Sequence, residues 1–179
     1  MFAVKKVGDI VRLSLPERNF RDKNQSMRWL WCLLFGGLLV SFTPGLKAQE
    51  SSEGDLAMAV YKQVNEVRQS RQLPPLVYNE ELAVLAKTHT QSMIASGKLS
   101  HDGFSDRFAA AREKIPGLKA LGENVAMNFP KEDVVADTVK NWMNSPVHRA
   151  NILRENTLTG VAVVRAADGK YYFTQIFGK

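Results

Sequence analysis

Three side chains of this 179-residue chain have the types and the setting for chemistry: His101, Glu123 and His148. Two imidazoles and one carboxylate are the inventory of a zinc site with an open coordination position, where the ion lowers the pKa of a bound water to about 7. The separations are 22 and 25 residues, so no single helix sets their geometry as an HExxH segment does. The inventory permits a metal and does not compel one. Each residue also has a plainer reading. His101 follows Leu99-Ser100 just past a helix end, where an imidazole can bond the last helix carbonyls. Glu123, in Gly122-Glu123-Asn124 between Leu121 and Val125, can serve as an acceptor for backbone N–H groups. The remaining histidine, His89, lies in an apolar helical stripe and reads as a packed core residue.

Other chemistries are not written in the chain. There is no GxSxG elbow and no Gly-rich phosphate loop. Ser100 beside His101 is not a nucleophile–base pair, because neighbours in sequence rarely face each other. The single cysteine, Cys32, lies far upstream of these residues, inside an apolar run.

The elements that must position the candidates follow from periodicity. Leu56, Ala57, Val60, Val64 and Val67 predict a helix from Leu56 to about Gln69, capped by Asp55. Leu73-Pro74-Pro75-Leu76 forces an extended connector. Asn79 caps a second helix, with Glu80 and Glu81 at its positive end, a stripe of Leu82, Leu85, Ala86, His89 and Met93, and a stop at Gly97. Residues 98–131 are irregular, with a helical piece from Ser105 to about Glu113. A connection this long in a small domain is functional or disordered, and its polar pieces favour function. Val135, Thr138, Val139 and Trp142 mark a helix from about Glu132 to Asn144. Ser145-Pro146 stops it, and a short helix opens at His148, with Ile152 and Leu153 directed to a core. His148 therefore stands on a rigid corner. Two strands close the chain, Thr159 to Arg165 and Lys170 to Phe177, joined by a hairpin turn at Asp168-Gly169. Early helices and a late hairpin predict an α+β fold with helices packed on an antiparallel sheet.

The first 48 residues stand apart. Trp29 to Phe42 is a 14-residue uncharged apolar run, short for a membrane span of about 20 residues and suited to the core of a secretory signal peptide. Arg28 precedes it, and Leu46-Lys47-Ala48 offers cleavage after Ala48. Met27 is a candidate initiator, since the segment before the apolar run is long. The rival reading is an uncleaved signal that anchors the protein in a membrane. Residues 49–55 then form a flexible lead-in and residues 56–179 the domain. Residues 1–48 carry 8 Lys+Arg against 3 Asp+Glu, net +5, whereas residues 49–179 carry 16 against 15, net +1. The domain thus has no basic surplus with which to neutralise phosphates, and nucleic acid is not among its expected partners. Nor does it contain a membrane span or a cysteine. Its 131 residues suffice for a core without disulfides.

Taken in order, Ser100-His101, Gly122-Glu123-Asn124, the segment from Trp142 to Leu153 (W-x-x-S-P-x-H-R-x-N-I-L), Gly160 to Val163 (GVAV) and Tyr171 to Gly178 (YYFTQIFG) resemble the bacterial branch of the CAP superfamily, the SCP-like group of cysteine-rich secretory, antigen-5 and pathogenesis-related-1 proteins. The resemblance runs from about Leu56 to Gly178. It implies a three-layer α-β-α sandwich around a central, mostly antiparallel sheet. It also implies an open cleft lined by two histidines and acidic residues, able in several relatives to bind zinc or another divalent cation. His101 matches the first cleft histidine and Glu123 the glutamate of the GEN motif, with Asn124 beside it. Ser145 stands where a second glutamate is expected, and Tyr172 where the second histidine is expected. In bacterial relatives His148 supplies an imidazole instead. The implied metal set is therefore His101, His148 and Glu123.

Three functional readings remain open at this level. One is an exported binding module holding a small lipid-like or peptide ligand. Another is a metal-dependent, protease-like hydrolase with Glu123 as general base or third ligand. The last is a structural domain that contacts an envelope component. Oligomeric state is not written in the chain.

Overall fold

The computed structural model describes residues 51–179. The leader expected over residues 1–48 lies outside the described residues. The elements are α1 (Glu53–Gln69), β1 (Val77–Tyr78), α2 (Glu80–Ser96), α3 (Phe104–Lys114), β2 (Leu121–Asn128), α4 (Val134–Asn144), α5 (Pro146–Leu153), β3 (Leu158–Arg165) and β4 (Tyr171–Gly178).

Local chemistry sets most of the boundaries. Helix α1 starts earlier than the expected Leu56 because Ser52, not Asp55, is its cap. The Ser52 hydroxyl accepts the Asp55 N–H at 3.1 Å and the Asp55 carboxylate accepts the Ser52 N–H at 3.2 Å, a reciprocal capping box. Residues 53–55, expected in the lead-in, are thus the first turn of α1. Helix α2 is capped by Asn79, whose side chain accepts the Leu82 N–H at 3.0 Å, and ends at Gly97 with φ 65, the left-handed stop that glycine adopts readily. Pro146 opens α5 rather than His148, since the missing N–H of a proline costs nothing in a first turn. The β3–β4 hairpin turns through Gly169, φ 85.

The sheet order is β1-β3-β4-β2. Strands β3/β4 and β4/β2 pair antiparallel, and the two-residue β1 runs parallel to β3. Side chains alternate across the sheet. Val161, Val163, Tyr171, Phe173 and Phe177 pack against Val60 and Val64 of α1, Val135, Val139 and Trp142 of α4, and Ile152 of α5. Ala162 and Ile176 pack against Leu82 and Ala86 of α2 and Ala111 of α3, and Tyr172 and Val125 against Met93 of α2. This is the α-β-α sandwich, with β4 buried along its whole length and β2 at one edge. No helix of the described residues is long and apolar enough to cross a membrane.

Two features hold the layers close. Gly160 of β3 lies directly beneath the backbone of α2; a Cβ there would collide with the Ala83 nitrogen and the Leu82 carbonyl carbon. Arg68 of α1, only 1% exposed, donates to four backbone carbonyls: Pro74, Ile152, Arg154 and Asn156. Two of these belong to the end of α5, so a buried guanidinium closes that helix and ties it to α1.

Candidate functional site

The site gathers where edge strand β2 passes between α2, α3 and α5. Adjacent residues of a strand face opposite sides, and β2 uses this fully. Glu123 shares a face with Val125 and is paired with Ile176, so it points into the α2–α3 layer. Asn124 points the other way, toward α5.

Glu123 is 5% exposed. A buried carboxylate is costly unless charged and polar groups surround it, and here they do. Arg107 of α3 donates from Nε to Oε2 and from Nη2 to Oε1, each at 2.8 Å. This is the two-pronged geometry that fits guanidinium to carboxylate. Arg107 also donates from Nη1 to the Asp102 carbonyl at 2.7 Å and from Nη2 to the His101 carbonyl at 3.4 Å. His101 places Nδ1 2.8 Å from Oε1. An ionised carboxylate can only accept, so the His101 Nδ1–H donates. The His101 side chain is 51% exposed. His89 of α2 sits behind: its Nε2 donates to the Ser100 carbonyl at 2.8 Å and lies 3.6 Å from Glu123 Oε1.

The charges follow from these contacts. Burial alone pushes the Glu123 carboxyl upward; the hydrogen bonds from His101 and Arg107 and the guanidinium charge outweigh it and hold the group below the ordinary carboxylate value. Burial pushes His89 down, against the attraction of Glu123, so its neutral form is favoured. Burial also lowers His148, and the charge of His101 lowers it further.

His148 stands on the first turn of α5, half-buried. That turn is fixed from the sheet: Asn124 Nδ2 donates to the His148 carbonyl at 3.1 Å, and Asn151 Nδ2 donates to Asn124 Oδ1 at 2.9 Å and to the Glu123 carbonyl at 3.1 Å. Asn124, expected on the cleft wall, is fully buried and serves to anchor α5 instead. Ser145 precedes α5 and caps it through its carbonyl, which accepts the Arg149 N–H at 2.9 Å, with no hydrogen bond from its side chain to the helix. Tyr172 is buried against Met93 and Val125. It lies four residues along β4 from Ile176, the partner of Glu123, or about 13 Å at the rise of a strand. His101, Glu123 and His148 are thus brought to one edge, while Asn124 and Tyr172 are held away from the carboxylate.

A divalent ion does not fit this donor set as the three expected ligands. Both oxygens of Glu123 are taken by protein donors, leaving two imidazoles where catalytic zinc usually has three protein ligands. Among the described residues no group of three or more His, Cys, Asp or Glu side chains is placed to hold a metal. A groove of about 610 Å3 between α1 and the start of α4, lined by Leu56, Lys62, Lys131, Val135 and Tyr171 among others, shares none of the cluster residues.

Two members of the cluster carry no site signal in the sequence. His89, read as a core residue, is buried and bonded as expected and also abuts Glu123. Arg107 carries no motif of its own, yet it occupies the apolar stripe Phe104, Arg107, Phe108, Ala111 of α3, and an arginine at such a position requires a buried partner.

A sandwich with a histidine–glutamate cluster at the edge of its sheet is the SCP-like type of domain. The cysteine-rich secretory protein family, CAP, matches residues 61–177. The chain belongs to this family. It is 30% identical over 122 residues to the protein YkwD of Bacillus subtilis (strain 168), covering 67% of this chain and spanning 46% of that relative. An extracellular protein containing an SCP domain from Bacillus anthracis str. Ames superposes with TM-score 0.58 at 30% identity, over 71% of this chain and 41% of that one. An outer surface protein of Borrelia burgdorferi shares the fold with TM-score 0.64 at 18% identity, over 72% of this chain and 96% of that one.

Proposed function

We propose that this is an exported binding protein whose cleft beside His101 and His148 holds a small lipid-like or peptide ligand. The observation that carries the reading is the inward commitment of Glu123. Its two oxygens orient His101 and accept Arg107, so the carboxylate is neither a free base nor a free ligand, and the half-exposed member of the pair is the His101 side chain. With Nδ1 held by Glu123, the His101 ring has a fixed orientation in which to meet a ligand polar group through Nε2. Apolar surface adjoins both histidines in sequence: Leu99 is 46% and Val147 71% exposed. Hydrolysis is the weaker reading, because both oxygens of Glu123 are engaged by protein donors and the group is buried away from any water it would activate. Export rests on the apolar run of the leader and on the kinship with an extracellular relative.

The test is direct titration of the full chain with fluorescent fatty acids and with short apolar peptides, beside His101→Ala and His148→Ala. Saturable binding that both substitutions weaken, in variants that remain folded at the assay temperature, is the expected result. Binding indifferent to both, or melting temperatures lowered with no binding in any form, assigns the cluster to structure and overturns the reading.

A further inference from the structure

We propose that Arg107 is a built-in cation that does the work of a divalent ion in this cluster, so that the histidine–glutamate site of this chain is metal-independent. A metal at such a place would perform two tasks. It would compensate the buried carboxylate of Glu123, and it would cross-link the loop bearing His101 to strand β2. Arg107 performs both. Nε and Nη2 neutralise Glu123 at 2.8 Å each. Nη1 and Nη2 reach the carbonyls of Asp102 and His101, fastening the loop at its turn. That turn closes through Phe104 N–H to the His101 carbonyl at 3.1 Å and through Gly103 at φ 72. The guanidinium is itself held in place, with its side chain 11% exposed on the apolar stripe of α3. A dication drawn toward His101 meets this fixed positive charge at close range and finds both oxygens of Glu123 in use.

This role of Arg107 is separate from ligand binding. It holds whichever molecule the cleft takes, and its readout is zinc rather than ligand.

The experiment is calorimetric zinc titration of the metal-stripped full chain, of Arg107→Ala, and of Arg107→Ala combined with Glu123→Gln. The wild-type chain is expected to take up no stoichiometric zinc. Arg107→Ala is expected to gain one zinc per chain, with Glu123 released beside His89 and His101. Adding Glu123→Gln is expected to weaken that gained site by at least about tenfold, the scale on which a carboxylate beside a metal-bound histidine acts. Stoichiometric zinc uptake by the wild type that His101→Ala abolishes overturns the proposal. So does a folded Arg107→Ala that gains no zinc. Arg107→Met, which keeps the aliphatic stem, replaces Arg107→Ala if the latter does not fold. The 15N-histidine spectrum of the wild-type chain decides without any variant: a His101 resonance unmoved by equimolar zinc supports the proposal, and one shifted by it refutes it.

Discussion

Both carboxylate oxygens of Glu123 accept hydrogen bonds from the guanidinium of Arg107 at 2.8 Å, and the carboxylate itself is buried. Removing either partner leaves the other as an uncompensated charge. Glu123→Ala and Arg107→Ala are each expected to cost about 3–5 kcal/mol of unfolding free energy. The double variant should cost clearly less than the two singles together, because the second removal relieves the first. Arg107→Lys should not restore stability, since an ammonium cannot serve two oxygens and two carbonyls at once. Urea unfolding of the four variants measures all of this, and additive losses would show that the pair is not coupled.

Stability should fall in two stages on acidification. His89 and His148 are held below their ordinary value of 6.5 in the fold. The unfolded chain therefore binds their protons first, and the stability they confer is complete above about pH 6.5 and lost as pH drops through the folded values. Glu123 is held below 4.5, so its contribution is complete above that pH and disappears only below it. Melting temperature against pH should be flat near neutrality, bend down from about 6.5 and steepen below 4.5. The double variant His89→Gln, His148→Gln should lose the upper bend and keep the lower. A bend that survives unchanged in this variant would mean that other groups titrate there.

Arg68 should be intolerant of every replacement. Arg68→Met takes the side-chain donor from the carbonyls of Pro74, Ile152 and Asn156 and leaves Arg154 only the Asn156 N–H, and each buried polar group left unmet costs about 1–3 kcal/mol. The first part to loosen should be the end of α5, so limited proteolysis is expected to cut near residues 153–157. An Arg68→Met chain as protease-resistant as the wild type would remove the clamp from the account.

Gly160→Ala should be as damaging as any single methyl can be. The added carbon meets backbone atoms of Ala83 and Leu82, which cannot rotate away. A loss at the upper end of overpacking effects, about 3 kcal/mol or more, is expected. Because α2 carries His89, hydrogen exchange should show the loss of protection spreading along that helix. Soluble, fully protected protein would mean that α2 can lift off the sheet at little cost.

Much of the fold was legible where local chemistry decides it. Asn79 and Gly97 bound α2, and the Asp168-Gly169 turn joins β3 to β4, because caps and tight turns are written in neighbouring residues. Strand β2 was not legible. Leu121 to Asn128 opens with Gly122, Glu123 and Asn124, poor strand formers, and its conformation is imposed by eight pairings with β4, about fifty residues away. The two residues of β1 were hidden behind Pro74-Pro75 for the same reason. The site suffered likewise. Glu123 and His101 could be named from their surroundings, but the partner of Glu123 lies on a helix 16 residues earlier. The side to which Asn124 turns could be assigned only once β2 was known to be a strand.

The alternation along β2 has one more consequence, for the fidelity of assembly. Glu123 is received by a cation on one face and Asn124 by two neutral amide and carbonyl partners on the other. If β2 paired with β4 one residue out of register, the two would exchange faces. The carboxylate would be driven against Asn151 with no positive charge near it, and Arg107 would meet an amide that cannot neutralise it. An edge strand, the most exposed to mispairing with another molecule, is thus proofread by two consecutive residues, and a strand inserted one notch off is rejected by its own charge.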